Sequence, residues 1–172
     1  SYDIMQGETR TPEFLTGVNA NGRIPVLQIG DRFLPESNAA CYYLATGSGL
    51  VPADRFDHAD MLRWMFFEQY SHEPNIATLR FWLHFVGEAR LTEEQKAQTM
   101  AKQIAGCQAL RLMDRHLAGR DWFVGETVTL ADVALYAYSH VAADGGFHLG
   151  DYPAVQAWLA RMAKAPGYIA MA

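Results

Sequence analysis

Polar and apolar positions change their rhythm along the chain. Up to residue 46, short apolar runs are separated by turn chemistry; from residue 57 onward, apolar residues recur at helical spacing almost without pause. In the first part, Tyr2 to Met5 reads as a short strand. "TRTPEFL", residues 9–15, reads as a short helical turn entered through Pro12. "NANG" is turn chemistry, and "RIPVLQI", residues 23–29, is a strand. Gly30-Asp31 then predicts a two-residue hairpin turn, because glycine takes the positive φ that a type II′ turn requires, and Arg32 to Leu34 forms the return strand. "ESNAACYYLA" predicts a helix with Ala40, Tyr43 and Leu44 on one face and Gly47 just past its end.

"TGSGLVPAD", residues 46–54, has linker composition. The expected division is therefore a small unit at 1–46, a linker at 47–56 and a helical unit at 57–172. Within the helical unit, residues 57–85 form one long pattern, broken or kinked at Pro74, which cannot donate an interior helical hydrogen bond. "TEEQ", residues 92–95, is a capping box, followed by a face of Met100, Ile104, Cys107, Leu110, Met113 and Leu117, with Gly119 at the stop. Thr129 and Asp132 form a second capping box, with Val128 and Val133 placed as its hydrophobic staple. Read as a cap, Asp132 is structural, and an alanine there is expected to cost about 1 kcal/mol. The last helix runs between Pro153 and Pro166. The fold class implied is a small α+β unit joined to an all-α bundle.

Composition narrows the function classes. Half of the 172 residues are apolar, ample for a buried core. Fourteen Lys and Arg against nineteen Asp and Glu give a net charge of −5, and no basic cluster tracks a phosphate backbone, so a nucleic-acid partner is not expected. No apolar run is long enough to span a bilayer, and no membrane partner is expected. Cys41 and Cys107 are isolated, with no spacing for a metal cage; both read as small buried side chains, no metal is expected, and a reducing, cytoplasmic setting is.

The chemistry concentrates in "GRIPVLQIGDRFLPESNAA", residues 22–40. Pro25 removes an N–H from the strand ladder and leaves the backbone around Ile24 with polar groups facing outward, which suits an extended, peptide-like ligand. The helix beginning near Glu36 and Ser37 offers orphan N–H groups and a positive dipole end to a carboxylate or phosphate. Ser37 can donate to that anion and Glu36 can accept from an ammonium. The plainer alternative stays open: Ser37 caps a helix, Glu36 complements its dipole, and Pro25 ends an edge strand.

With those residues in view, "PEFLTGVNANGRIPVLQIGDRFLPESNAACYYLA" resembles the later part of the thioredoxin-like domain of bacterial-type cytosolic glutathione S-transferases. "TLADVALYAYSHV" resembles that family's helical-domain capping motif, and "YPAVQAWLARMAKAPGY" its final helix. The resemblance implies glutathione as co-substrate, a homodimer, and a thiol activated for attack on an electrophilic small molecule. A non-catalytic binding or assembly role is the alternative. It implies that Pro25 is a cis-proline, that the Ile24 main chain pairs with the cysteinyl part of glutathione, that Glu36 and Ser37 hold the γ-glutamyl end, and that Arg23 approaches the glycyl carboxylate. The family's opening strand and helix, which carry a catalytic Tyr, Ser or Cys, have no counterpart in these residues, so the thioredoxin-like domain is expected to be incomplete and no catalytic residue is assigned. In the family the long helix lines the electrophile pocket, which nominates Phe67, Tyr70, His72 and Arg80; packing in the core and surface pairing, such as Glu73 with Arg80, are the structural alternatives. "HEPNIA" lacks the second histidine of a zinc-protease motif, and "GSG", residues 47–49, lacks phosphate-loop spacing.

Overall fold

The computed structural model describes residues 2–170. The chain divides into two compact units, Ser1–Ser48 and Gly49–Ala172.

In the first unit the expected strand at Tyr2 to Met5 is instead a 3-10 turn at Ile4–Gln6. The Asp3 carboxylate accepts from the N–H groups of Met5 (2.8 Å) and Gln6 (3.3 Å), and this local bonding holds the backbone away from an extended path. Helix α1, Pro12–Gly17, starts where the proline predicts; Thr11 accepts from the Phe14 N–H, and Phe14 is buried. Strands β1, Val26–Ile29, and β2, Arg32–Pro35, pair antiparallel from Ile29↔Arg32 to Val26↔Pro35. Gly30 has φ +59 while Asp31 stays negative, the sign pair of a type II′ turn. Helix α2, Ser37–Ala45, buries Ala40 and Ala45, whereas Tyr43 and Leu44, expected on the inner face with Ala40, are exposed.

The second unit opens with α3, Arg55–Phe67, whose first residue falls inside the stretch read as linker because Asp54 caps it, accepting from Phe56 and Asp57. A π-helical turn, Glu68–His72, separates α3 from α4, Glu73–Arg80, and a second π turn, Phe81–Val86, closes the run. The first widened turn precedes Pro74, so the missing proline N–H is met by a change of hydrogen-bond spacing: the Glu73 N–H donates to the Glu68 carbonyl, five residues back.

Helix α5, Glu93–Leu117, carries the predicted capping box: Gln95 N–H donates to Thr92 Oγ1 (3.2 Å), and Thr92 N–H donates to Gln95 Oε1 (2.9 Å). Its predicted inner face holds only in the C-terminal half, where Leu110, Met113 and Leu117 are buried. Met100 is 74% exposed and Ile104 55%; the buried stripe runs instead through Gly106 and Ala109. At Gly106 a Cβ would stand 2.4 Å from the Phe147 ring, so the helix packs there because a side chain is missing. Helices α6, Leu130–Ser139, and α7, Pro153–Met162, complete the unit, whose core includes Trp64, Met61, Leu79, Leu135 and Trp158. No helix among the described residues is long and apolar enough to cross a membrane, and no group of three or more metal-ligating side chains is present among them.

Candidate functional site

The site is built at the open end of the β1–β2 hairpin. Pairing stops at Val26↔Pro35, so the next residues on either side, Pro25 and Glu36, flank the same opening, followed by Ile24 and Ser37. The Ile24–Pro25 peptide bond is cis. No hydrogen bond among the described residues engages the Ile24 main chain, and among those residues β1 pairs only with β2. Ile24, Pro25, Val26 and Gln28 join Phe14 and, from β2, Phe33 in lining a cleft of about 350 Å³ over one face of the hairpin.

Glu36 enters α2 with φ +70 and ψ 113, the only positive φ of a non-glycine residue among those described. Such a conformation costs an L-residue of order 1–3 kcal/mol and persists only where its surroundings hold it. Neither Glu36 nor Ser37 makes a side-chain capping bond to the α2 N-terminus. The plainer reading, in which Ser37 is a cap, therefore fails. Ser37 is the first helical residue and is half-buried, at the positive end of the α2 dipole. Arg23 is exposed; its carbonyl accepts from Asn19 Nδ2 at 2.9 Å.

Residues that sequence reasoning passed over shape this loop. Asn19 was read only as turn chemistry, yet it is one of the few buried polar side chains. Arg10 Nη1 donates to the Asn21 carbonyl at 3.1 Å and packs against Gly22, which needs its φ of +62. Their one sequence signal was the "NANG" cluster.

The four residues nominated in the helical unit do not converge. Phe67 stands edge-on to Trp64, with ring centroids 5.2 Å apart, while Tyr70 is 88% exposed. Their three-residue spacing was expected to place both on one face, but the π turn beginning at Glu68 widens the helix between them. His72 is fully buried, its Nε2 2.8 Å from Ser139 Oγ and its Nδ1 without a partner. Burial lowers its pKa to about 3, so it sits neutral in the core. Arg80 bonds to Asp144 (3.2 Å), where pairing with Glu73 had been the structural expectation, and lies 5.0 Å over the Phe85 ring.

Asp132 is buried, and its carboxylate collects the N–H groups of Phe123 (3.1 Å) and Thr129 (2.9 Å), the Thr129 hydroxyl (3.0 Å) and the Trp158 indole N–H (3.0 Å). Burial pushes its carboxyl pKa up, against those four hydrogen bonds. Thr129 and Asp132 are thus a structural knot that joins the α6 start to the 123 loop and α7.

A cis-proline facing a helix N-terminus across the end of one hairpin, followed by an all-helical unit, marks the class of thioredoxin-like, two-unit proteins. Residues 1–46 match the pattern of the "Glutathione S-transferase, N-terminal domain", and residues 61–166 that of the "Glutathione S-transferase, C-terminal domain". The chain belongs to the glutathione S-transferase family.

It is 43% identical to a glutathione S-transferase of Pseudomonas fluorescens, whose crystal structure superposes with a TM-score of 0.91 over 98% of this chain and 82% of that one. It is 30% identical to glutathione S-transferase 2 of Anopheles gambiae, over 96% of this chain and 78% of that one. A Pseudomonas putida glutathione transferase, solved with one glutathione disulfide bound per subunit, is 25% identical with a TM-score of 0.77, over 95% of this chain and 74% of that one. The transcriptional regulator URE2 of Saccharomyces cerevisiae is 24% identical, over 97% of this chain and 58% of its own length.

Proposed function

We propose that the first unit binds glutathione at the open end of the hairpin and that the protein presents its thiol to an electrophilic small molecule. The observation that carries this reading is the meeting of the Ile24 main chain, which no hydrogen bond among the described residues engages, with the α2 N-terminus at Glu36 and Ser37. The cysteinyl part of the tripeptide pairs with the Ile24 main chain. Its γ-glutamyl carboxylate takes the Ser37 hydroxyl at the positive end of α2, and its ammonium takes the Glu36 carboxylate. Arg23, exposed beside this segment, serves the glycyl carboxylate. The thiolate is the nucleophile, so the reaction requires a hydrogen-bond donor that lowers the thiol pKa. In the helical unit, Tyr70 keeps surface with which to meet an electrophile, whereas His72 keeps none. A homodimer, cytoplasmic residence and a role in detoxification complete this reading.

Likeness to the regulator URE2 favours a second reading, in which the same site binds glutathione without turnover. Calorimetric titration of glutathione into the chain and into Ser37→Ala tests the site. A loss of about tenfold in affinity is expected for the variant, as for a hydrogen bond to a charged group; equal affinity removes Ser37 from the site. Conjugation assayed with a chromogenic electrophile then separates the two readings.

A further inference from the structure

The geometry points to Asn19 as the positioning residue that aims the Ile24 N–H at the bound peptide, an inference that rests on the glutathione reading above. Asn19 is 7% exposed, and all its polar groups are spent on one short stretch of backbone. Its main-chain N–H donates to the Phe14 carbonyl at the end of α1, and its carbonyl accepts from Gly22. Its side-chain Oδ1 accepts from the Asn21 N–H at 3.0 Å, and its Nδ2 donates to the Arg23 carbonyl at 2.9 Å. From the opposite side, Arg10 holds the Asn21 carbonyl, and a Cβ on Gly22 would come within 2.8 Å of the Thr9 carbonyl oxygen, so the loop has no slack.

The last of the Asn19 bonds reaches the ligand through covalent geometry. The Arg23 carbonyl and the Ile24 N–H belong to one peptide unit, which is planar and, unlike the next bond, trans. In a trans peptide these two groups point in opposite directions. Drawing the carbonyl inward onto Asn19 therefore turns the Ile24 N–H outward, away from the loop, where no group among the described residues takes it. Asn19 touches no part of the ligand; it sets the direction of the donor that does.

Asn19→Asp separates this role from general support. The introduced carboxylate still accepts from Asn21 but loses the donor to Arg23 and repels its carbonyl, so the peptide unit is free to rotate. Glutathione affinity at pH 7, by calorimetry, is expected to fall by about tenfold or more. Lowering the pH stepwise from 7 toward about 4.5 protonates the introduced carboxyl, whose pKa burial and the facing Arg23 carbonyl push up and the Asn21 N–H and Arg10 guanidinium draw down. That restores an O–H donor, so the variant regains affinity relative to wild type measured at the same pH. A merely structural role lowers the unfolding midpoint and leaves the pH dependence of affinity parallel to wild type; that result overturns the inference. In the unmodified chain, the Ile24 amide resonance is expected to shift downfield on saturation with glutathione, and an unmoved resonance overturns the inference even where the variant fails to fold. Absence of glutathione binding by wild type overturns the site reading and this one together. Weakening by Ser37→Ala with none by Asn19→Asp overturns this one alone.

Discussion

Replacing Asp132 by alanine exposes how much of the helical unit hangs on one carboxylate. The deletion removes the acceptor of the Phe123 and Thr129 N–H groups, the Trp158 indole N–H and the Thr129 hydroxyl, at a site with no solvent exposure. The hydroxyl can rotate to another acceptor, but the three N–H donors cannot. Each buried donor left unpaired costs about 1–3 kcal/mol, and water admitted to the vacated space relieves part of that, so a net loss of about 3–5 kcal/mol is expected. A lost helix cap alone costs about 1 kcal/mol, which was the expectation from the sequence pattern. Against a typical domain stability of about 5–15 kcal/mol, the larger figure takes a substantial share and the smaller one does not. Urea unfolding followed by tryptophan fluorescence distinguishes them: the midpoint should fall by the larger amount with an unchanged slope. A loss near 1 kcal/mol would refute the argument that three segments converge on this carboxylate and leave Asp132 an ordinary cap.

Two further outcomes follow from the same coordinates. His72 is held neutral in the core with a pKa lowered to about 3 from 6.5, so its contribution to stability is complete above pH 6.5 and is lost as the pH falls toward 3. The loss is about 1.4 kcal/mol per pH unit, and urea midpoints at about pH 7 and 4.5 should fall less in His72→Leu than in wild type; parallel curves would show that the histidine is not the titrating group. Glu36→Gly relieves the positive φ and should raise stability by about 1 kcal/mol while weakening glutathione binding. A variant that is less stable and binds equally well would mean that Glu36 is neither strained nor in contact with the ligand.

The parts of the fold that were legible in the sequence are those governed by a few adjacent residues. Thr92 with Gln95, Gly30-Asp31 and Pro12 each act on backbone within four residues of themselves, and each element appears as expected. The misread parts depend on something local patterning does not carry. Tyr2 to Met5 looked like a strand by its side chains, but the Asp3 carboxylate decides its backbone. Met100 and Ile104 continue the apolar stripe of α5, yet the helix turns its small residues, Gly106 and Ala109, to the core, because Phe147 needs the room. Of the proposed binding site, the meeting of Ile24, Pro25, Glu36 and Ser37 at one hairpin end was legible because the hairpin register follows from its turn. Asn19 was not, since its partner Arg23 becomes its neighbour only once the loop has closed.

The two π turns also bear on how sequences of this family are to be aligned. Each widened turn holds one residue more than the α-helical turn it replaces, and one residue on an α-helix amounts to about 100° of rotation. The faces of α3 and α4, and of whatever follows Phe81–Val86, are therefore indexed by separate counts. A relative whose helix runs regularly through this stretch will match it only with a one-residue gap near Glu68–His72 or Phe81–Val86. Placed elsewhere, that gap would set a buried position such as His72 against a half-buried neighbour, Ser71 or Glu73.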